Sequence, residues 1–149
     1  MRAAVLACVF SVPSILSAAE PQTSVPPIPN NSVALSAQCR DAATHGLDSY
    51  FRDEFHAKEV VIDIEPVLAS PTEYRPQRPV YYLWVRVSTP DARMYQTGVA
   101  RVMTGEDLKC RVTGFLPKKE ILASPELLAT YFPSELIPTI LSLAQTSQK

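Results

Sequence analysis

From residue 60 onward the chain reads as short runs in which apolar and polar positions alternate. "VVIDIEPVLA" (residues 60–69), "VYYLWVRVS" (80–88), "RMYQTGVARVMT" (93–104) and "LKCRVTGFL" (108–116) predict four β-strands by this two-residue period and their β-branched and aromatic content. "TPDA" and "GED" join the last three runs by short turns, which favours an antiparallel meander. "SPTEYRPQRP" (70–79) is a long proline-rich connection, read either as a plain exposed link or as a stiff loop that touches a partner.

Upstream the period changes. Ser32 is placed to cap a helix through "VALSAQCRDAATHGLDSYF", with Pro29 just ahead. At about 100° per residue, Leu35, Cys39, Ala42, Ala43, Gly46 and Tyr50 share one stripe, and Asp41, His45, Asp48 and Arg52 share another. The last third, "KKEILASPELLATYFPSELIPTILSLA", predicts short helices broken by Pro125, Pro133 and Pro138. The closing "QTSQK" is expected to fray. The expected fold class is α+β: an N-terminal helix packed on a four-stranded antiparallel meander, with short C-terminal helices, as one domain over residues 32–145 and a polar tail over 146–149.

Strand alternation gives the sheet two faces. Val60, Ile62, Ile64, Tyr81, Leu83, Val85, Val87, Met94, Gly98, Ala100, Val102, Leu108, Cys110, Val112 and Gly114 form a face almost free of charge, which is expected to meet the helix. The inward register of Cys110 and the helical wheel position of Cys39 then agree on a Cys39–Cys110 disulfide. The other face carries Val61, Asp63, Glu65, Val80, Tyr82, Trp84, Arg86, Tyr95, Thr97, Val99, Arg101, Met103, Lys109, Arg111, Thr113 and Phe115. Three fates are open to it: cover by the C-terminal helices, stabilisation by cross-strand pairs alone, or a contact surface for a partner. In the third case Tyr82, Trp84, Arg86, Tyr95, Arg101 and Arg111 are the candidate partner-binding residues, because aromatic residues and arginine are enriched at interfaces and their energetic centres.

A helix followed by a four-stranded meander that wraps it resembles, in topology, the cystatin and nuclear-transport-factor-like class of folds, over residues 32–116. No family motif accompanies the topology. The Gln-x-Val-x-Gly hairpin of cystatin protease inhibitors is absent, and "QTGVA" (96–100) does not match it.

The N-terminus points to a compartment. Arg2, the apolar run "AAVLACVFSVPSIL" (3–16) and the small residues "SAA" (17–19) have the order of a secretory signal peptide. That run of fourteen residues, with Pro13 inside it, falls short of the roughly 20 apolar residues needed to span a bilayer. Residues 1–19 are therefore the expected signal, and "EPQTSVPPIPNN" (20–31), with four prolines, the expected tether. Cleavage would remove Cys8 and leave an even pair of cysteines, which suits a disulfide in an oxidising compartment. That bond closes a loop of about 70 residues, for a contribution on the order of 4 kcal/mol. The expected location is periplasmic or secreted, with the periplasm preferred, and no integral span remains after cleavage.

Charge excludes more than it selects. The 149 residues carry 14 basic and 15 acidic side chains, so there is no basic excess for nucleic acid and no polybasic anchor for anionic lipid. No HExxH, paired-cysteine zinc spacing, Asx-rich calcium loop or glycine-rich phosphate loop is present, so neither a metal nor a cofactor is expected. Cys39 and His45 point about 120° apart on a helix and cannot form a nucleophile and base pair. The leading expectation is a non-enzymatic exported module that binds another protein, such as an accessory subunit of an envelope assembly or an inhibitor or immunity protein. A small-ligand carrier with Tyr50, Tyr81 and Met94 around a pocket between helix and sheet is the alternative. A hydrolase using Asp41, His45 and Asp48 is third.

Overall fold

The computed structural model describes residues 32–146; the expected signal peptide and tether fall outside the described residues. Helix α1 spans Ala37–Phe55, followed by strands β1 (Val61–Leu68), β2 (Val80–Ser88), β3 (Tyr95–Thr104) and β4 (Cys110–Pro117). Helix α2 (Lys118–Ala123), a 3-10 turn (Pro125–Leu127), α3 (Leu128–Tyr131) and α4 (Ile137–Thr146) complete the order. The strands form one antiparallel sheet in the order β1-β2-β3-β4. The α+β meander expected from the alternation is the architecture found.

Helix α1 starts later than the expected Ser32 cap. Ser36 is the N-cap, its hydroxyl accepting from the Cys39 amide at 3.3 Å. The preceding segment instead extends the sheet edge: Ser32 bridges Leu68, and the Val33 amide donates to the Val67 carbonyl at 2.9 Å. The buried stripe is also rotated relative to the wheel reading, running through Cys39, Ala43, Leu47 and Phe51, while Tyr50 is exposed. The large side chains take the centre of the sheet, and the small ones flank it where β4 comes close. A Cβ on Gly46 would lie 3.3 Å from Val112 Cγ2.

Two register breaks decide which side chains face where. Pairing of β1 with β2 shifts between Ile64 and Val67, at Pro66, which has no amide to donate. Val67 therefore joins Ile64 in the α1 core and Leu68 points to the other side. In β3 and β4 the register shifts beside Arg101 and Val102, with the Thr113 hydroxyl donating to the Arg101 carbonyl at 3.2 Å. The shift puts Phe115 opposite Ala100, on the α1 side, with its ring 5.0 Å from that of Phe51. Alternation without a bulge places Phe115 on the far face and Gly114 on the near one, so both assignments are corrected. Met94 and Leu108, expected in the core, are 46% and 66% exposed. Both belong to turns rather than strands: the Thr89 amide bonds the Met94 carbonyl, and Leu108 has φ 58° in the turn from Gly105 to Lys109.

The sheet is the middle layer of three. On one side Leu83, Val85, Val87, Ala100 and Val102 pack against Ala43, Leu47 and Phe51 of α1. The Cys39–Cys110 disulfide, Cα to Cα 5.1 Å, ties α1 to β4 as expected. On the other side Val80, Tyr82, Trp84 and Val99 pack against Ile121, Leu128, Phe132, Leu136, Ile140 and Ala144. The C-terminal helices thus cover the second face. Tyr82 is 1% exposed and Trp84 2%, so both rings lie between the sheet and its helical cover rather than on an open outer face. Their burial follows from the apolar period of the last third, which finds its complement on this face. Gly98 is required by close approach, since a Cβ there would sit 2.3 Å from the Leu116 carbonyl oxygen and 2.6 Å from the Phe115 ring.

Candidate functional site

The cover over the second face is incomplete beside α3, and the gap is a pocket of about 620 Å³ lined by Glu73, Tyr82, Arg101 and residues 129–134. The strand register creates its floor. Tyr82 of β2 and Arg101 of β3 are direct cross-strand partners, so their side chains rise from the sheet side by side. Phe132 packs edge-on against the Tyr82 ring at 5.6 Å and holds the phenol at the inner wall. Tyr131, 54% exposed, stands at the mouth with Thr130 and Ser134.

The third charged element comes from the loop between β1 and β2. Ser70 is buried, and its hydroxyl accepts from the amides of Thr72 and Glu73, fixing a tight turn. The same hydroxyl donates to Glu135, and the Thr72 hydroxyl donates to Glu135 at 2.6 Å. These bonds, Ser70 first, hold the Glu135 carboxyl down at about 2, and they tie the loop to the break between α3 and α4. Glu73 is thereby brought over the sheet, where the Tyr82 hydroxyl donates to its Oε2 at 2.7 Å. Burial, then that bond to Glu73, pushes the Tyr82 phenol up to about 12 against an opposing pull from Arg101. At neutral pH the phenol keeps its proton and directs it in a hydrogen bond to Glu73.

Arg101 is set apart from the other arginines. Among the described residues, Arg40, Arg52, Arg78, Arg86, Arg93 and Arg111 each form an ion pair with a carboxylate. Arg75 donates to the carbonyls of Thr72 and Tyr74. Arg101, half-buried, donates instead to Met103 Sδ, a weak acceptor, beside the Tyr82 oxygen. A guanidinium has five N–H donors, and a carboxylate is the group that matches its fork. The pocket therefore presents unspent donors on one wall and, on the other, a Glu73 carboxylate.

The remaining expected contact residues are dispersed. Arg86 is exposed and paired with Asp63 across β1 and β2, and Arg111 is exposed and paired with Asp107. Tyr95 is exposed at the hairpin end of β3, in a separate groove of about 550 Å³ with Phe55, Met94 and Leu122. Of the six, the structure brings together Tyr82, as an inner wall, and Arg101. Glu73 and Glu135 were missed in the alternation because they lie outside the strands; "SPT" at residues 70–72, a hydroxyl-rich turn sequence, was the available signal.

The polar stripe of α1 is a solvated face: Asp48 pairs with Arg52 at 2.7 Å, one helical turn away, and His45 is exposed. No cluster of three or more His, Cys, Asp or Glu able to hold a metal occurs among the described residues. Tyr50, Tyr81 and Met94 line three different pockets rather than a common one. No helix among the described residues is long and apolar enough to cross a membrane. No protein-family model, curated protein or solved structure matches the chain.

Proposed function

We propose that this chain is an exported, periplasmic or secreted, non-enzymatic protein-binding module, an accessory subunit of an envelope assembly or an inhibitor or immunity protein. The observation that carries the reading is Arg101, a half-buried guanidinium with no carboxylate partner among the described residues, facing an open pocket with the exposed Tyr131 at its mouth. Export draws support from the disulfide and from the charged, apolar and small-residue order of residues 1–19. With Tyr82 and Trp84 buried, the contact face is the pocket rim rather than the whole sheet surface.

Photo-crosslinking in the native envelope or secretome tests this. A benzophenone amino acid replacing Tyr131 should give a discrete adduct with another protein, and the adduct should vanish when Arg101→Gln is added. Equal labelling with and without Arg101→Gln, or no adduct at all, would contradict the reading.

A small-ligand carrier is the second reading. It is favoured by the groove of about 610 Å³ between α1 and β4, lined by Ala42, Gly46, Tyr50, Val112 and Phe115 among others. A non-covalent adduct in native mass spectra of the purified protein would support it.

A further inference from the structure

We infer that the Arg101 pocket receives the free C-terminal carboxylate of a partner polypeptide; the inference rests on the protein-binding reading above and names the group recognised. Its basis is the pairing of charges across the pocket. Arg101 is the cross-strand neighbour of Tyr82, and Glu73 accepts the hydrogen bond of the Tyr82 hydroxyl, yet among the ion pairs of the described residues none joins Arg101 to Glu73. The site thus shows a donor fork and a carboxylate acceptor separated by one bridging phenol.

A chain terminus offers the complementary couple. Its carboxylate can take two parallel N–H bonds from the guanidinium, and its own amide N–H, on the adjacent carbon, can donate to Glu73. An aspartate or glutamate side chain carries its carboxylate on a methylene stem away from its amide, and so matches only the Arg101 half. A fully ionised phosphate shares the carboxylate's attraction to Arg101 but carries no N–H to donate to Glu73, so it too matches only the Arg101 half.

The size and the opening fit the same occupant. About 620 Å³ lies within the usual range of roughly 300–1,000 Å³ for ligand pockets, enough for a terminal residue and its side chain. The exposed rim of Thr130, Tyr131 and Ser134 leaves a path for the preceding residues. An amphipathic phenol ring such as Tyr131 is a common anchor for peptide backbone and side chains alike.

The test uses a mixture of N-terminally labelled, randomised hexapeptides with free C-termini, and the same mixture ending in carboxamide, captured on the immobilised full chain. Free-acid peptides should be retained, and the amides should be retained at least about tenfold less. Loss of a charged hydrogen-bonding partner corresponds to roughly 10–100-fold in affinity, so Arg101→Gln should abolish the difference. Ser134→Trp, which fills the exposed rim without touching either core, should block retention in a protein of unchanged circular dichroism. Equal retention of acids and amides, or no retention of the acids, overturns the C-terminal assignment. Retention of labelled free amino acids as tight as that of peptides overturns the polypeptide as the source. Either result leaves the Tyr131 crosslink standing, so failure of this inference is distinct from failure of the protein-binding reading.

Discussion

The two faces of the sheet are both covered by helix, and both leave an opening of similar size, about 610 Å³ beside α1 and about 620 Å³ beside α3. Their chemistry is opposite. The first is mostly apolar, with Ala42, Leu47, Val112 and Phe115 beside His45 and Arg111, whereas the second sets Glu73, Tyr82 and Arg101 beside Phe132 and Pro133. The cause is the length of the covering pieces. Helix α1 has 19 residues, keeps its backbone bonds internal, and holds its charges off the buried stripe, with Asp48 paired to Arg52, Arg40 paired to Glu65 of β1, and Asp41, Asp53 and Glu54 exposed. The second cover is made of helices of 6, 4 and 10 residues, and their ends bring Ser134, Glu135 and the loop bonded to Glu135 down toward the sheet. A fragmented cover places polar groups where a continuous one excludes them.

The largest effects come from truncating the rings at the centre of each layer. Phe51→Ala on the α1 side and Trp84→Ala beneath the C-terminal helices should each cost about 3–5 kcal/mol, read as a shift in denaturation midpoint. If the two layers are one cooperative unit, each variant will still melt in a single transition. Loss of only the C-terminal helices in Trp84→Ala would show instead that the second layer is an independent cover.

Removing the disulfide acts on the α1 side alone. A Cys39→Ala, Cys110→Ala variant should lose on the order of 4 kcal/mol by the loop-closure argument, with the Arg101 pocket retained. Nearly two titratable thiols per chain in the exported, non-reduced protein would contradict the bond.

The smallest effect belongs to the second face and appears with acid. Glu135 is held down at about 2, from an ordinary value of 4.5, first by the Ser70 hydroxyl and then by Thr72. Its contribution to stability is therefore present above pH 4.5 and lost as pH falls toward 2. Glu135→Gln should flatten the pH dependence of stability across that window, and an unchanged slope would show that the loop anchor is not titrating.

Much of the fold was legible because alternation and helical period are local properties. The strands β2 and β3 lie where the apolar runs put them, and Cys39 and Cys110 were placed on facing elements by two independent periods. The departures each have a nonlocal cause. The helix cap moved to Ser36 because Val33 is held by β1, and Phe115 changed sides because one extra residue enters β4 opposite Arg101. Val80, Tyr82, Trp84 and Val99 share one face as alternation gives, Phe115 excepted, and cover by the C-terminal helices is one of the three outcomes alternation leaves open; Ile121, Leu128, Leu136 and Ile140 need a partner surface, which is the clue. The pocket itself was half legible. Tyr82 and Arg101 share a register position that alternation gives, whereas Glu73 reaches them only through the Ser70 and Glu135 anchor, a contact between residues 65 apart in sequence.

If the unpaired arginine, and not arginine in general, carries recognition, the affinity of the crosslinked partner for two variants separates the cases. Arg101→Gln removes the pocket donor, and Arg111→Gln removes an exposed arginine already paired with Asp107. A loss of roughly tenfold or more is expected for the first and about twofold or less for the second. Equal losses, or a larger loss at Arg111, would contradict it and move the contact face to the edge of β4.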